Sequence, residues 1–407
     1  MAITRLKKRS GSIDVLEKEH LIQTYARYDL TLARGKGCWV WDTKGKKYLD
    51  LVSGLAVNAL GYSHPRLVKV IRDQAGTLIH TSNLFYHEYQ APLAAALKKL
   101  TGMDRVFFSN SGAEAIEGAL KMARVHGGKI RKGKFEIVAL ENSFHGRTFG
   151  ALSATGQPKY REPFEPLVPG FKFVRINDVA ALNTAVNDST CAIILEPIQG
   201  EGGIFEIDPR FIKAAGELAK KHQALLIFDE IQTGFGRTGD FLATQAYDVK
   251  PDIIVLAKPM AGGLPLGSIQ AREEVAASFV PGMHGTTFGG GPLTCRVALE
   301  FLAVLKDENI LRNTRKMGAY FTKKLLQLQK KHPMIKAVRG RGLMLAVDLD
   351  RPSKPIVVRA LERGLIINST HETVIRLLPP LIINQKLIDQ GCKILDELLT
   401  EAAAQSA

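Results

Sequence analysis

Long apolar runs are missing from this sequence, and that absence limits where the protein can work. No run approaches the roughly 18–20 apolar residues that a membrane-spanning helix needs. The basic N-terminal stretch MAITRLKKRSGS has no apolar segment behind it, so it does not look like a secretory signal; a solvated tail explains it better than a transit peptide. With 45% hydrophobic and 23% charged residues, the chain is expected to be an ordinary globular, cytoplasmic protein with no membrane partner.

Cysteine is also scarce. The chain has only Cys38, Cys191, Cys295 and Cys392, and these positions are scattered. None of them forms a CxxC pair or has the histidine spacing that a zinc site requires. We therefore expect free thiols in a reducing compartment and no metal site.

The charge is strongly of one sign, because 55 lysines and arginines against 40 acidic residues give a net charge of +15. Such an excess is typical of proteins that bind nucleic acid. Here, however, the basic residues form only short clusters spread over the chain, and the aromatic residues, at 7%, do not interleave with them. No nucleic-acid partner is therefore expected. An anionic substrate, or no function at all, explains the charge equally well.

In the middle of the chain, short apolar runs alternate with amphipathic helical stretches. Near-continuous apolar runs indicate strands that are buried on both faces, as in a mainly parallel sheet covered by helices. The runs are RVFFS, FEIVALE, CAIILEPI, ALLIFDEI and DIIVLAK. We therefore predict an α/β protein.

The two ends of the chain have a different pattern. KGCWVWDTKGKKYLDLVSG predicts a hairpin with a Lys-Gly turn, and a long helical region after about residue 295 leads to further strand-like runs. These ends predict a smaller α+β domain that contains residues 1–60 and 301–407. Residues 61–300 would then form the large domain.

In open α/β sheets, ligands bind beyond the carboxyl ends of the strands. Polar, charged and glycine residues follow five of the predicted strands, and five such ends together indicate a site. These segments begin at Asn110, Asn142, Glu196, Asp229 and Lys258.

The first of these segments joins a strand to a helix through Ser111, Gly112 and Ala113. Small residues at this point let backbone N–H groups and a hydroxyl reach an anion at the positive end of the helix. The pattern is neither GxGxxG nor GxxxxGK[ST], so it suits one phosphate group. Taken alone, it is also what a serine N-cap produces.

Asp229 and Lys258 end neighbouring apolar runs. A carboxylate at the end of a buried strand needs a cation or a proton. A metal site or the acidic end of a nucleotide-binding strand would meet this need, but the absence of a P-loop upstream weakens both interpretations. A protonated pyridine nitrogen would meet it as well. A partly desolvated lysine becomes a nucleophile towards carbonyl groups. Together with the phosphate-binding turn, these residues describe a site for pyridoxal 5'-phosphate, with Phe144 available to stack on its ring.

Over nearly its whole length, the sequence resembles the class III (subgroup II) pyridoxal-phosphate-dependent aminotransferases of fold type I. The similarity is greatest to the branch that acts on N2-acetyl-L-ornithine. That fold has a large domain with a mainly parallel seven-stranded sheet and a smaller α+β domain. The motifs that carry the resemblance are SGLAVNALG, HTSNLFY, SNSGAEAIEGALKMAR, SFHGRT, EPIQGEGG, FDEIQTGFGRTG, LAKPMAGGLPLGS, HGTTFGGGPLTC and VIRLLPPLII.

The resemblance implies roles for the cofactor-binding residues. Lys258 would bond to the cofactor aldehyde and then move a proton on the substrate, and Asp229 would hold the proton of the pyridine nitrogen. The other implied contacts are Ser111, Gly112 and Ala113 at the phosphate, Thr287 at the phosphate of the partner subunit in a homodimer, Phe144 on the ring and Gln232 at the ring hydroxyl.

The resemblance also implies the substrates. The chain would move the δ-amino group of N2-acetyl-L-ornithine to 2-oxoglutarate, which gives N-acetylglutamate semialdehyde and glutamate, a step of arginine biosynthesis. Arg147 would bind a substrate carboxylate and Thr286 the acylated amino acid. Arg376 would take the α-carboxylate of glutamate, and Glu201 would neutralise it when the amine substrate is bound.

Two departures from the family pattern affect the expected substrate. Pro259 and Met260 stand where Ala-Leu is usual, and Gly291 stands where asparagine is usual. The alternatives are therefore other class III transaminases, namely those acting on ornithine, succinylornithine, 4-aminobutyrate or lysine-pathway compounds. The sequence also leaves a mutase or decarboxylase on the same fold as a rival, although paired arginine anchors argue against a decarboxylase.

Overall fold

The structure is a computed structural model, and it describes residues 13–404. The tail predicted at residues 1–12 lies outside the described residues, as do the last three residues. Within the described part the strands are, in chain order, β1 Leu32–Lys36, β2 Trp39–Asp42, β3 Lys47–Asp50, β4 Arg105–Ser109, β5 Glu136–Leu140, β6 Phe171–Val174, β7 Thr190–Leu195, β8 Ile198–Gln199, β9 Phe205–Glu206, β10 Leu225–Asp229, β11 Ile253–Leu256, β12 Gly267–Ala271, β13 Ile335–Arg341, β14 Met344–Leu349, β15 Leu365–Ile366, β16 Asn368–Thr370 and β17 Val374–Leu377.

Helices cover both faces of the sheets and include several very short ones. In chain order they are α1 Ile13–His20, α2 Ser53–Ala56, α3 Pro65–Ala75, α4 Gln90–Thr101, α5 Gly112–Ile130, α6 Phe149–Ser153, α7 Pro158–Arg161, α8 Val179–Ala185, α9 Pro209–Lys221, α10 Glu273–Ala276, α11 Pro292–Asp307, α12 Ile310–Lys331, α13 Lys354–Glu362 and α14 Gln385–Ala404. Single turns of 3-10 helix occur at Glu162–Phe164, Ala243–Ala246 and Lys258–Met260. No helix among residues 13–404 is long and apolar enough to cross a membrane.

The central sheet has seven strands in the spatial order β4-β12-β11-β10-β7-β5-β6. β12 runs antiparallel to both of its neighbours, and the other six strands are parallel to one another. Every residue of β7, β10 and β11 is buried, because helices cover both faces of these strands. The predicted α/β class with a mainly parallel seven-stranded sheet is therefore confirmed.

Two smaller sheets contain the ends of the chain. The predicted hairpin forms from β2 and β3 around Lys44-Gly45, and β15 adds to β3 in parallel, so the N- and C-terminal parts share one sheet. The other sheet has the order β13-β14-β17-β16 and is antiparallel. The domain boundaries at residues 60 and 300 stay a prediction.

The long helical region predicted after residue 295 consists of two helices, α11 and α12, rather than one. The break lies at Asn309, whose φ of 53° is left-handed. Asparagine tolerates this conformation better than most residues, so it is a suitable place for the chain to turn. The apolar sides of both helices, which include Phe301 and Phe321, are buried in the largest core cluster.

Candidate active site

The five polar segments predicted to form a site lie at one edge of the central sheet. The strands that they follow, β4, β5, β7, β10 and β11, are all parallel, so their carboxyl ends point the same way. The segment carrying Arg376 in β17 faces this edge, because its side chain bonds to Gly200 and Glu201 after β8. The site therefore combines residues of the central sheet and of the sheet that contains β17.

Asp229 is the last residue of β10 and is 4% exposed. One carboxylate oxygen, Oδ1, accepts a hydrogen bond from the backbone N–H of Ile231 at 3.0 Å, and the other, Oδ2, lies 2.8 Å from His145 Nδ1. Burial alone would lower the pKa of His145, but the hydrogen bond to Asp229 and the charges of Asp229 and Glu196 raise it. His145 thus supports a negative charge on Asp229.

Lys258 follows β11 and begins a 3-10 turn with a left-handed φ of 43°. β11 lies beside β10 in the sheet, so the lysine and Asp229 end neighbouring strands. Loss of solvation lowers the pKa of Lys258, while the carboxylate of Glu201 opposes this and the charge of Arg376 adds to it. A lowered pKa makes the free amine available as a nucleophile nearer neutral pH.

The three departures from the family pattern lie directly after Lys258 or at the start of a helix. Pro259 and Met260 are both buried, and Met260 belongs to the largest core cluster together with Leu256. Gly291 is the N-cap of α11, and a Cβ built there would lie 3.4 Å from the nearest atom, which is an ordinary contact. Local space therefore does not exclude the asparagine that is usual in the family.

The turn after β4 has the conformation that the sequence predicts at a helix start. Ser111 is the N-cap of α5, and its Oγ accepts a hydrogen bond from the N–H of Glu114 at 3.2 Å. The chain passes very close to the segment after Asp229, because a Cβ built on Gly112 would lie 2.7 Å from Ile231 Cδ1. The capping function is thus present, and the N–H groups of Gly112 and Ala113 lie in the first turn of the helix, where anions bind.

Phe144 and Arg147 follow β5 on one loop. Phe144 is half-buried, and Arg147 is exposed with its guanidinium carbon 3.9 Å from the ring centre of Tyr160. In the described part of the chain, Arg147 has no carboxylate partner. It is therefore a free cation beside the site.

Arg376 forms an ion pair with Glu201 in the segment after β8. The arginine is 1% exposed, and its Nη1 donates to Glu201 Oε1 at 2.6 Å and to the carbonyl oxygen of Gly200 at 3.1 Å. Its Nε donates to Asn368 Oδ1 at 2.8 Å. Burial would raise the pKa of Glu201, but the charge of Arg376 and the hydrogen bond from it outweigh this effect and lower the pKa.

Gln232 and His145 each have a buried polar atom with no hydrogen-bond partner among residues 13–404, namely Oε1 of Gln232 and Nε2 of His145. Buried polar atoms are rarely left without partners in folded proteins. With the helix start at Ser111 and the carboxylate of Asp229, the site has the donor and acceptor groups that a phosphorylated pyridine would need.

The two threonines predicted to bind ligands differ in position. Thr286 Oγ1 accepts a hydrogen bond from Asn110 Nδ2 at 3.1 Å, which places it at the end of β4 in the same chain. Thr287 is exposed and precedes Phe288, which is 66% exposed. No hydrogen bond joins Thr287 to the Ser111–Ala113 turn of its own chain among the described residues.

Glu196 is a site residue to which the sequence interpretation gave no role. It follows β7 and is 6% exposed; its Oε1 accepts from the N–H of Phe144 at 2.8 Å and its Oε2 from that of Gly200 at 3.2 Å. Loss of solvation raises its pKa to about 7, with His145 opposing and Asp229 adding to the rise. An acidic residue directly after a wholly apolar strand was the available signal, as it was for Asp229.

Comparison with known proteins agrees with this arrangement. Residues 23–399 match the sequence model of the family described as Aminotransferase class-III. The acetylornithine aminotransferase of Caldanaerobacter subterraneus subsp. tengcongensis is 48% identical over 387 residues, which cover 95% of this chain and 98% of that protein.

Two solved structures are also similar. One is the ornithine aminotransferase of Toxoplasma gondii, in a structure with partial occupancy of PLP at its active site. It superposes with a TM-score of 0.94 at 34% identity, and the match covers 99% of this chain and 98% of the Toxoplasma chain. The acetylornithine aminotransferase of Elizabethkingia anophelis gives 0.85 at 34% identity, with 95% and 98% covered. The chain therefore belongs to the class-III aminotransferases and is a transaminase.

Proposed function

We propose that this protein transfers the δ-amino group of N2-acetyl-L-ornithine to 2-oxoglutarate, as one step of arginine biosynthesis. The observation that carries the proposal is the ion pair between buried Arg376 and half-buried Glu201, whose charges act on Lys258, together with the free cation of Arg147 on the loop after β5. The relative from Caldanaerobacter, an acetylornithine aminotransferase at 48% identity, supports the choice of substrate.

We propose pyridoxal 5'-phosphate as the cofactor. Its phosphate would lie at the start of α5 on Ser111, Gly112 and Ala113, its ring against Phe144 and its ring hydroxyl near the unpartnered amide of Gln232. When bound, the cofactor withdraws electrons from the carbon that carries the reacting amine. The residues of this chain provide the rest of the chemistry.

Asp229 would keep the pyridine nitrogen protonated, and the donor His145 Nδ1 holds the carboxylate in place for this task. Lys258 would bind the cofactor when no substrate is present. Its Nζ would then remove a proton from the substrate carbon that carries the amine. It would release that proton again on the side of the site where the cofactor is bound. A lowered pKa suits this role, because the amine must be free of its own proton to act as a base.

The two substrates need a different net charge at the same place, neutral for one and positive for the other. Near its reacting amine, acetylornithine has only methylene groups, whereas glutamate has a carboxylate on the reacting carbon. Glu201 neutralises Arg376 for the first substrate. For the second, the carboxylate of glutamate would replace Glu201 on the same guanidinium, while Arg147 binds the remaining carboxylate of either substrate through its planar edge.

We also propose that the protein works as a homodimer in the cytoplasm. Large apolar side chains are exposed in two segments near the site, including Leu84, Phe85, Tyr86 and Phe288. Exposed apolar surface of this kind is typical of protein interfaces. Thr287 lies beside Phe288, so a partner subunit covering this surface would bring its own Thr287 to the phosphate. The four cysteines are unpaired and buried, as suits a reducing compartment.

A half-reaction screen tests the substrate. The purified holoenzyme is mixed with acetylornithine, succinylornithine, ornithine or 4-aminobutyrate, and the loss of its absorbance in the near-visible range is followed. The proposal predicts that acetylornithine reacts with the largest kcat/KM. A larger kcat/KM for free ornithine would favour the activity of the Toxoplasma relative and would overturn the proposed substrate.

A further inference from the structure

Helix α7, Pro158–Arg161, lies beside the site, and none of the roles above involves it. It follows the loop that carries Phe144 and Arg147 and the short helix after that loop. Its Tyr160 is half-buried, and the preceding Lys159 is exposed. Burial would raise the pKa of Glu201, but Arg376, Lys258 and, to a smaller extent, Lys159 lower it, so the charge of this helix reaches Glu201.

The start of this helix is fixed to the loop after β5. The N–H of Gly156 donates to Ser143 Oγ at 3.0 Å, and Gln157 Nε2 donates to the carbonyl oxygens of Asn142 and Ser143 at 3.3 Å each. Gly156 also passes so close to β5 that a Cβ there would lie 2.0 Å from the carbonyl oxygen of Leu140. The backbone before Tyr160 is therefore held in one place relative to the loop that carries Arg147.

The ring of Tyr160 contacts both functional side chains of that loop. The Arg147 guanidinium carbon lies 3.9 Å from the ring centre. The ring of Phe144 meets Tyr160 edge-on, with centres 6.0 Å apart and planes at 83°. Phe144 itself is 5.6 Å from the same guanidinium, so Tyr160 is the nearer aromatic support for the cation.

Stacking on a ring restricts a guanidinium in a particular way. The face of the group lies on the aromatic ring, while the N–H donors at its edge stay free to form two parallel bonds to a carboxylate. Arg147 is exposed and has no carboxylate partner among residues 13–404, so without the ring its long side chain would sample many rotamers.

We propose that Tyr160 is a positioning residue that holds Arg147 for the substrate carboxylate remote from the reacting amine, and thereby selects amines that carry such a carboxylate. This inference rests on the proposed function, because it assigns that carboxylate to Arg147. It adds a specificity determinant in a helix that contains none of the predicted site residues.

A double-mutant cycle with Tyr160→Ala, Arg147→Ala and the double variant tests the proposal. Tyr160→Phe is the matched control, because it keeps the ring and removes only the hydroxyl. The half-reaction is measured with acetylornithine and with N-acetyl-1,4-diaminobutane, an amine of similar length that lacks the carboxylate. Thermal unfolding of each variant serves as the measure of folding.

Tyr160→Ala is expected to raise KM for acetylornithine by about three- to tenfold, in line with the strength of cation–aromatic contacts, with kcat changed less than about twofold. Tyr160→Phe should stay within about twofold of the wild type. The amine without a carboxylate should react equally with the wild type, Tyr160→Ala and Tyr160→Phe. In the Arg147→Ala background, Tyr160→Ala should have no further effect on KM.

Equal losses with both amines, or an undiminished effect of Tyr160→Ala in the Arg147→Ala background, would show that Tyr160 acts on folding or on the cofactor instead and would overturn the proposal. Failure of the proposed function is recognised separately. In that case Arg147→Ala alone leaves the kinetics with acetylornithine unchanged, or the wild type does not react with acetylornithine at all.

Discussion

Glu201→Gln tests whether one ion pair lets the site accept two substrates of different charge. The substitution keeps the size of the side chain and its ability to bond to Arg376, but it removes the negative charge. Arg376 is 1% exposed and keeps its bonds to Asn368 and Gly200. The variant should therefore fold, with an arginine whose charge is no longer neutralised.

The size of the effect follows from the hydrogen bond that changes. The glutamine can still accept from Arg376, but its neutral amide leaves the buried guanidinium without a compensating charge, and a buried polar group that loses its partner costs about 1–3 kcal/mol. One factor of ten corresponds to about 1.4 kcal/mol. We expect kcat/KM for acetylornithine to fall about tenfold, because the uncompensated charge of Arg376 faces the methylene groups of this substrate.

The glutamate half-reaction should change in the opposite direction. The carboxylate of glutamate no longer competes with Glu201 for Arg376, so kcat/KM for glutamate should stay the same or rise by up to about tenfold. Both half-reactions are measured by stopped-flow absorbance. The control is Glu206→Gln, which removes the same charge from a different ion pair, in which Glu206 Oε1 lies 3.4 Å from Arg341 Nη1. An equal fall for both substrates, or no change for either, would refute the substrate-dependent pairing.

Three further outcomes are expected. Burial lowers the pKa of Lys258, so between that pKa and the usual value of about 10.4 the unfolded apoprotein binds more protons than the folded one, and wild-type stability rises with pH. The Lys258→Met apoprotein should therefore have a higher Tm than the wild type below that pH range, and the difference in Tm should shrink as the pH rises. A difference in Tm that does not depend on pH would contradict the lowered pKa of Lys258. His145→Leu should lower the free energy of unfolding of the apoprotein by about 1–3 kcal/mol in urea, because the buried Asp229 carboxylate loses its side-chain donor. An unchanged midpoint would show that the bond is dispensable. Gly156→Ala should lower the free energy of unfolding by about 1–3 kcal/mol in the same assay, because the added Cβ would meet the carbonyl oxygen of Leu140. Gly128→Ala is the control: Gly128 lies in α5, a Cβ built there has no described atom within 4 Å, and the substitution should raise the free energy of unfolding by up to about 1 kcal/mol.

The sequence was most informative where a residue type is unusual for its position. Asp229 and Lys258 stand at the ends of apolar runs, and such groups need a partner, so they indicated a site before any contact was known. The strand β12, GSIQA, was not predicted. It is short and contains serine and glutamine, so its sequence does not indicate that all five of its residues are buried. Glu196 has the same signal as Asp229, but its role depends on two backbone N–H groups, which no sequence pattern indicates.

The sequence by itself determined the family, the mainly parallel sheet and the set of polar residues at the carboxyl ends of its strands. These follow from local patterns of apolar and polar residues and from motifs along the chain. Only the tertiary structure decided which of these residues meet. Arg376 reaches Glu201 from 175 positions away, and Tyr160, in helix α7, stacks on Arg147, which precedes helix α6. Such contacts depend on how separate elements pack, and that information is not contained in any short segment of the chain.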